Sequence, residues 1–318
     1  MARRRRKSRL GAAVAAVVLV AAALAALVIT YGEKLNLPFD IPTWSEIGAY
    51  LGIKKPVEQG EAGKDPFQLH FIDVGNADAT LIVAQDKHIL IDAGENDMGG
   101  RVVRYLKDQG VEKLDLVIGT HPHSDHIGGL DNVIQNFEIG TLMMPKIPDK
   151  IVPTSKTYTD VLKAAKAKQL SITAPKSGDK LELGGATFTI LGPGEEYDDL
   201  NNLSIVTKVD YKNFSALLTG DAEKEAESDL LDGGWDLSAD VLKVGHHGSS
   251  TSSSKKFLQA VNPATAVIHV GTDNSYGHPT KSTLERLRDA GASIYRTDLN
   301  GTVIVGSDGT TVHVNTEK

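Results

Sequence analysis

From Phe67 onward, short runs in which apolar and polar positions alternate are separated by segments with a helical period. Leu69 to Val74, Thr80 to Ala84 and His88 to Asp92 read as a meander of strands. Arg101 to Gln109 reads as a helix ended by Gly110, and Leu114 to Gly119 as a buried strand. Leu130 to Phe137 is helical, Thr141 to Met144 a strand, and Tyr158 to Gln169 a helix that carries lysines. A second half repeats the alternation. Strands fall at Lys180 to Leu183, Thr187 to Leu191, Ser204 to Val209, Ser215 to Leu218, Val241 to Val244, Thr265 to Val270 and Thr302 to Val305. Helices fall at Glu223 to Leu231, Lys255 to Ala260 and Lys281 to Ala290. An α/β fold of two sheets with helices outside buries all of these faces.

The first 32 residues differ in kind. Six basic residues fill positions 3 to 9, and no charge follows from Leu10 to Gly32. That span is long enough to cross a membrane as one helix. A cleaved signal peptide is the competing reading, since Ala23-Leu24-Ala25 suits a peptidase, but the apolar run continues to Ile29. We expect a cytoplasmic basic tail and membrane anchor over 1–32, which places the remainder outside the cell. Residues 33–66, punctuated by Pro38, Pro42, Pro56 and Pro66, read as an extracytoplasmic linker with a short helix at Trp44 to Leu51. The expected hydrolase domain is then 67–318.

The chain has no cysteine, so disulfides, thiolate metal sites and iron–sulfur clusters are excluded. Net charge is −7; without the six basic tail residues, 28 basic residues face 41 acidic ones, a balance of −13. Such a body is a poor general platform for nucleic acid. One local exception runs from residue 146 to 180, with eight Lys and three Asp.

Candidate chemistry concentrates in Thr120-His121-Pro122-His123-Ser124-Asp125-His126-Ile127-Gly128-Gly129. In an extended loop leaving a strand, residues two apart face the same way, so His121 and His123 converge. Asp125 and His126 follow, and Gly128-Gly129 lets the chain bend before the next helix. Two pairs of ligands from one loop suit two adjacent metal ions; the competing reading is a set of solvated loop histidines.

His-x-His-x-Asp-His after a strand resembles the signature of the metallo-β-lactamase superfamily. Asp73-Val74-Gly75-Asn76-Ala77-Asp78-Ala79 precedes it, and Asn201-Asn202-Leu203-Ser204, Leu218-Thr219-Gly220-Asp221, Lys243-Val244-Gly245-His246-His247-Gly248-Ser249 and Tyr276-Gly277-His278-Pro279 follow in order. Together they resemble the extracytoplasmic hydrolase domain of ComEC-like competence proteins over about residues 67 to 316. Asn76-Ala77 stands where those proteins usually carry Gln-Gly. The resemblance implies an αββα sandwich and two divalent ions, Zn²⁺ or Mn²⁺. It assigns His121 and His123 to the first ion, Asp125 and His126 to the second, Asp221 as the bridge and His246 as the late ligand of the second.

Asp221 also suits a helix N-cap. In an extended backbone His247 would point away from His246, toward substrate or behind the ligands. No histidine lies between His126 and His246, and Asn201 to Ser204 takes the place of the intervening His of many superfamily members. We therefore expect Asn202 and Ser204 on the substrate side and a weaker first site. His278 is the candidate for substrate contact or leaving-group protonation. Asp73 and Asp92 read as turn residues or supports for the ligands. His70, His88, His269 and His313 read as structural.

Two ions sharing a water suit hydrolysis of a phosphodiester. The expected function is an anchored extracellular nuclease-like phosphodiesterase. Lys163 and Lys166 are candidate nucleic-acid contacts, with a solvated helix face as the competing reading. One alternative is hydrolysis of a small ester, lactone, β-lactam or choline-phosphate ester, which the acidic surface fits better. A non-catalytic binding module is a second.

Overall fold

The computed structural model describes residues 57–318 apart from residue 273. The expected anchor, and the linker up to residue 56 with its short helix, lie outside the described residues. Among the described residues no helix is long and apolar enough to cross a membrane.

Among the described residues, sixteen strands form two sheets. The first begins with β1 (Val57–Gln59), β2 (Phe67–Phe71), β3 (Thr80–Ala84) and β4 (Lys87–Ile91). It continues through β5 (Lys113–Ile118), β6 (Glu138–Met143) and β7 (Ile172–Thr173), and takes in β15 (Val303–Ser307) and β16 (Val312–Thr316). Its order is β1-β16-β15-β2-β3-β4-β5-β6-β7. The second contains β8 (Lys180–Leu183), β9 (Ala186–Gly192), β10 (Val206–Tyr211) and β11 (Phe214–Leu218), followed by β12 (Val241–Lys243), β13 (Thr265–Ile268) and β14 (Ser293–Arg296). Its order is β14-β13-β12-β11-β10-β9-β8.

The period-2 pattern explains the layering. Phe67, Leu69 and Phe71 of β2, with Ile82 and Ile89, face Phe188, Val209, Phe214 and Ala216 of the other sheet in one buried cluster. The alternate residues Leu81, Leu90 and Val117 turn outward and pack under α1 (Gly99–Asp108), α3 (Leu130–Asn136) and α4 (Lys156–Ala167). On the second sheet Leu217, Leu242 and Ile268 do the same under α5 (Lys224–Asp232), α6 (Lys255–Val261) and α7 (Lys281–Asp289). This is the α/β sandwich expected from the sequence.

The fold starts ahead of the expected boundary. β1 pairs in parallel with β16, Ala62 is buried, and its N–H donates to Asn315 Oδ1 at 2.6 Å. Residues 57–59 therefore add a strand to the first sheet, and a short turn at Ala62–Lys64 leads from it into β2. Pairing with a distant strand, which local composition does not reveal, makes the difference.

Both sheets have a parallel portion: β4 to β7 in one, β11 to β14 in the other. Four of the six quoted motifs lie at the carboxyl ends of β5, β11, β12 and β13, where α/β sheets commonly place their ligands. The Ile205 N–H donates to the Thr120 carbonyl at 2.9 Å, which ties the second sheet to the exit of β5.

Candidate metal centre

Asp125 and His126 sit on α2 (Ser124–Ile127), a single turn that begins after His123 in extended backbone. Gly128 and Gly129 follow with ordinary negative φ, so they do not serve a sharp bend as expected. They serve close approach: a Cβ on Gly128 would lie 2.4 Å from the Asn96 backbone nitrogen, and one on Gly129 2.3 Å from the Ala93 carbonyl oxygen. α2 is thereby pressed against the end of β4.

Asp221 Oδ1 lies 3.2 Å from His126 Nε2, and Asp221 Oδ2 lies 3.6 Å from His247 Nε2. His247 Nε2 lies 3.3 Å from Asp125 Oδ2. One ligand atom from each of Asp125, His126, Asp221 and His247 falls within 4.8 Å of all the others. His126 Nε2, His247 Nε2 and Asp221 Oδ1 are buried without a hydrogen-bond partner. Buried polar atoms normally find partners, so several orphans aimed at one point fit a divalent cation held by imidazole and carboxylate.

The expectation about the histidine pair is corrected. His246 and His247 are not extended: both have φ of 50°, between Gly245 and Gly248. Left-handed backbone at two successive non-glycine residues swings His247 into the cluster and leaves His246 at its rim. His246 Nδ1 faces Glu223 Oε1 at 3.0 Å, and its Nε2 stays 3.8 Å from Asp221.

His121 and His123 do converge, with Nε2 of the first 3.0 Å from Nδ1 of the second. Asn202 and Ser204 both enter hydrogen bonds that frame the site. Asn202 Oδ1 accepts from the Glu223 N–H at 2.9 Å and caps α5. Ser204, 1 % exposed, lies behind the ligands: its Oγ accepts from the Asp221 N–H at 2.9 Å and faces His121 Nδ1 at 3.3 Å. A short polar side chain near a helix start serves the backbone first.

The lysine helix α4 packs its Val161 and Ala164 face inward and leaves Lys163 and Lys166 exposed. Lys163 and Lys156 both pair with Asp160, Lys150 with Asp198, and Lys146 with Glu196. Much of the basic segment is therefore answered locally by acids.

Three supporting groups surround the cluster. Asp92 accepts from His126 Nδ1–H at 2.7 Å, from Thr120 Oγ1 at 2.7 Å and from the Thr120 N–H at 2.8 Å. Asp78 and Lys243, neither singled out from the sequence, form a fully buried ion pair. Lys243 Nζ also donates to the Gly220 carbonyl at 2.8 Å and lies 3.7 Å from Asp221 Oδ1. Asp78 Oδ1 lies 3.4 Å from His247 Nδ1. The signal for this pair was present: Lys243 is a charged residue inside an otherwise apolar strand, and a charge there is buried only with a partner.

Electrostatics follow from this packing. Burial alone would lower the pKa of His126, but Asp221, Asp92 and Asp78 hold it well above the ordinary value. Burial likewise works against the His247 charge, and Asp221, Asp125 and Asp78 raise its pKa on balance. Asp125 is pushed up by burial and pulled further down by His247 and His126. His121, deeply buried beside His126, is held neutral. His278 is shifted down by burial and by the neighbouring His246 and His247, which favours a neutral ring near pH 7.

Residues 72–272 match the metallo-β-lactamase superfamily model, so the chain belongs to that superfamily. It is a metallo-hydrolase of this fold. The chain is 33 % identical over 255 residues to ComE operon protein 3 of Bacillus subtilis, covering 74 % of this chain and 32 % of that protein. It is 31 % identical over 237 residues to competence protein ComA of Neisseria gonorrhoeae, covering 74 % and 31 %. It is 32 % identical over 251 residues to recombination protein 2 of Haemophilus influenzae, covering 77 % and 29 %. The chain thus spans under a third of the length of these relatives. Among solved structures, the CmlA β-hydroxylase E377D mutant shares the fold, with a TM-score of 0.51, 12 % identity and coverage of 76 % of this chain and 54 % of that one.

Proposed function

We propose that this protein is a membrane-anchored, extracellular phosphodiesterase that cleaves nucleic acid with divalent metal ions. The observation that carries the reading is the convergence of Asp125, His126, Asp221 and His247 on one point, with several buried polar atoms lacking partners there. The competence and recombination names of the relatives support nucleic acid as substrate.

Asp125, His126, Asp221 and His247 would hold the principal ion, Zn²⁺ or Mn²⁺. His121 and His123 would hold a second, more weakly, because Asn201 to Ser204 stands where many superfamily members carry a further histidine. Bound there, divalent ions supply Lewis-acid polarisation and an acidified water. The remaining work falls to the chain's own side chains. Asp92 fixes the ring of His126 and its tautomer. Lys243 neutralises Asp78 and steadies Asp221 through the Gly220 carbonyl. His246, held by Glu223, and His278 line the rim, where each presents a ring nitrogen to a phosphate oxygen or leaving group.

Hydrolysis of a small extracellular ester is a second reading, favoured by the local pairing of the basic segment with Asp160, Asp198 and Glu196. The test is hydrolysis by the full chain, in detergent, of DNA, RNA, small phosphodiesters and carboxylic esters, with Mn²⁺ and Zn²⁺ compared. Metal-dependent cleavage of DNA or RNA is expected. Turnover of carboxylic esters alone would move the assignment to the second reading.

A further inference from the structure

Tyr276 is the most exposed large hydrophobic side chain among the described residues, at 73 %. An aromatic ring left in water forgoes the burial that draws other rings inward. The loop that presents it is nonetheless tied down. Asn274 Oδ1 accepts from the His278 N–H at 2.9 Å, and Asn274 Nδ2 donates to the carbonyls of His278 at 2.8 Å and Gly271 at 3.0 Å. Gly277, at φ +71°, makes the turn between the two rings.

The ring of Tyr276 stacks on His278, with centroids 5.8 Å apart and planes 24° apart. His278 in turn meets His246 edge-on at 5.6 Å. His246 Nε2 lies 3.8 Å from Asp221 Oδ2. A line of rings therefore runs from the candidate metal centre to the surface and ends in an open aromatic face.

We propose that Tyr276 is a stacking platform for a nucleobase adjacent to the phosphodiester that is cleaved. The inference rests on the phosphodiesterase reading and adds how its substrate is held. A chain of net charge −7, in which Lys146, Lys150, Lys156 and Lys163 of the basic segment pair with acids, has little to offer a phosphate backbone. Stacking needs no charge, and every base has a face to offer. It is also insensitive to salt, unlike phosphate contacts.

The test compares a single-stranded oligonucleotide with one of the same length carrying a run of abasic sites around the cleavable bonds, each followed by metal-dependent cleavage in the full chain. Wild-type protein should show a lower KM for the base-bearing strand, by about tenfold or more, the scale of one base–aromatic stack. Y276A should bring the two KM values together, Y276F and Y276W should keep them apart, and the difference should persist at high salt. The exposed position makes Y276A safe for folding, which circular dichroism verifies. Equal KM ratios in wild type and Y276A, with DNA still cleaved, would overturn the platform alone. A wild-type protein that cleaves neither strand would overturn the phosphodiesterase reading and the platform with it.

Discussion

His126 Nδ1–H donates to Asp92 at 2.7 Å, and this bond turns the opposite ring nitrogen toward Asp221 at 3.2 Å. Asp92 is itself pinned by two hydrogen bonds from Thr120, at the exit of β5. A carboxylate behind a ligating imidazole sets its tautomer and raises its basicity. Asp92→Asn should therefore weaken metal affinity by about 10- to 100-fold while the fold persists. Chelator competition measures this, and unchanged affinity would remove Asp92 from the account.

His246 and His247 are adjacent but should behave differently. His247→Ala should abolish stoichiometric metal binding and reduce hydrolysis by at least ~10²-fold, since it opens the cluster. His246→Ala should retain the metal and alter turnover only. Metal counted by plasma mass spectrometry on the two variants distinguishes them. An extended backbone would send the two rings to opposite sides, whereas this pair, between glycines, takes a left-handed turn.

Metal binding should release protons. With no cation present, the carboxylates hold His126 and His247 above their ordinary pKa, so both rings carry protons that a metal must displace. Affinity should rise with pH until those raised values are passed, and fall as the solution is acidified. Calorimetry in buffers of different ionisation enthalpy reads the released protons directly. Binding without proton release would mean that the metal sits elsewhere.

Lys243 and Asp78 stabilise each other inside the site. Burial alone would push the lysine toward neutrality, but Asp78 and Asp221 keep its pKa raised. Lys243→Met leaves Asp78 as an uncompensated buried charge and should cost about 3–5 kcal/mol. The double variant Asp78→Asn with Lys243→Met should recover most of that loss, because both charges leave together. Chemical denaturation of the set checks it, and an unrecovered double variant would contradict the pairing.

Much of this was legible in advance. The alternation of apolar residues located β3, β8 and α7 nearly to the residue, and the loop after β5 declared its chemistry through spacing alone. β1, β7, β14 and β16 escaped, because each is short or carries little apolar signal and is defined by a distant partner strand. At the site, the side-chain types were legible but their directions were not. Asn202 turned to a helix start, Ser204 went behind the ligands, and His247 exchanged places with His246. Such directions depend on backbone conformation and on competing hydrogen bonds, which spacing does not encode.

The most direct test of the metal centre is anomalous diffraction from crystals of the protein grown with Mn²⁺. A strong peak is expected within coordination distance of Asp125, His126, Asp221 and His247. A peak bound instead by Glu223 and His246, or at the inner carboxylates Asp78 and Asp92, would contradict it.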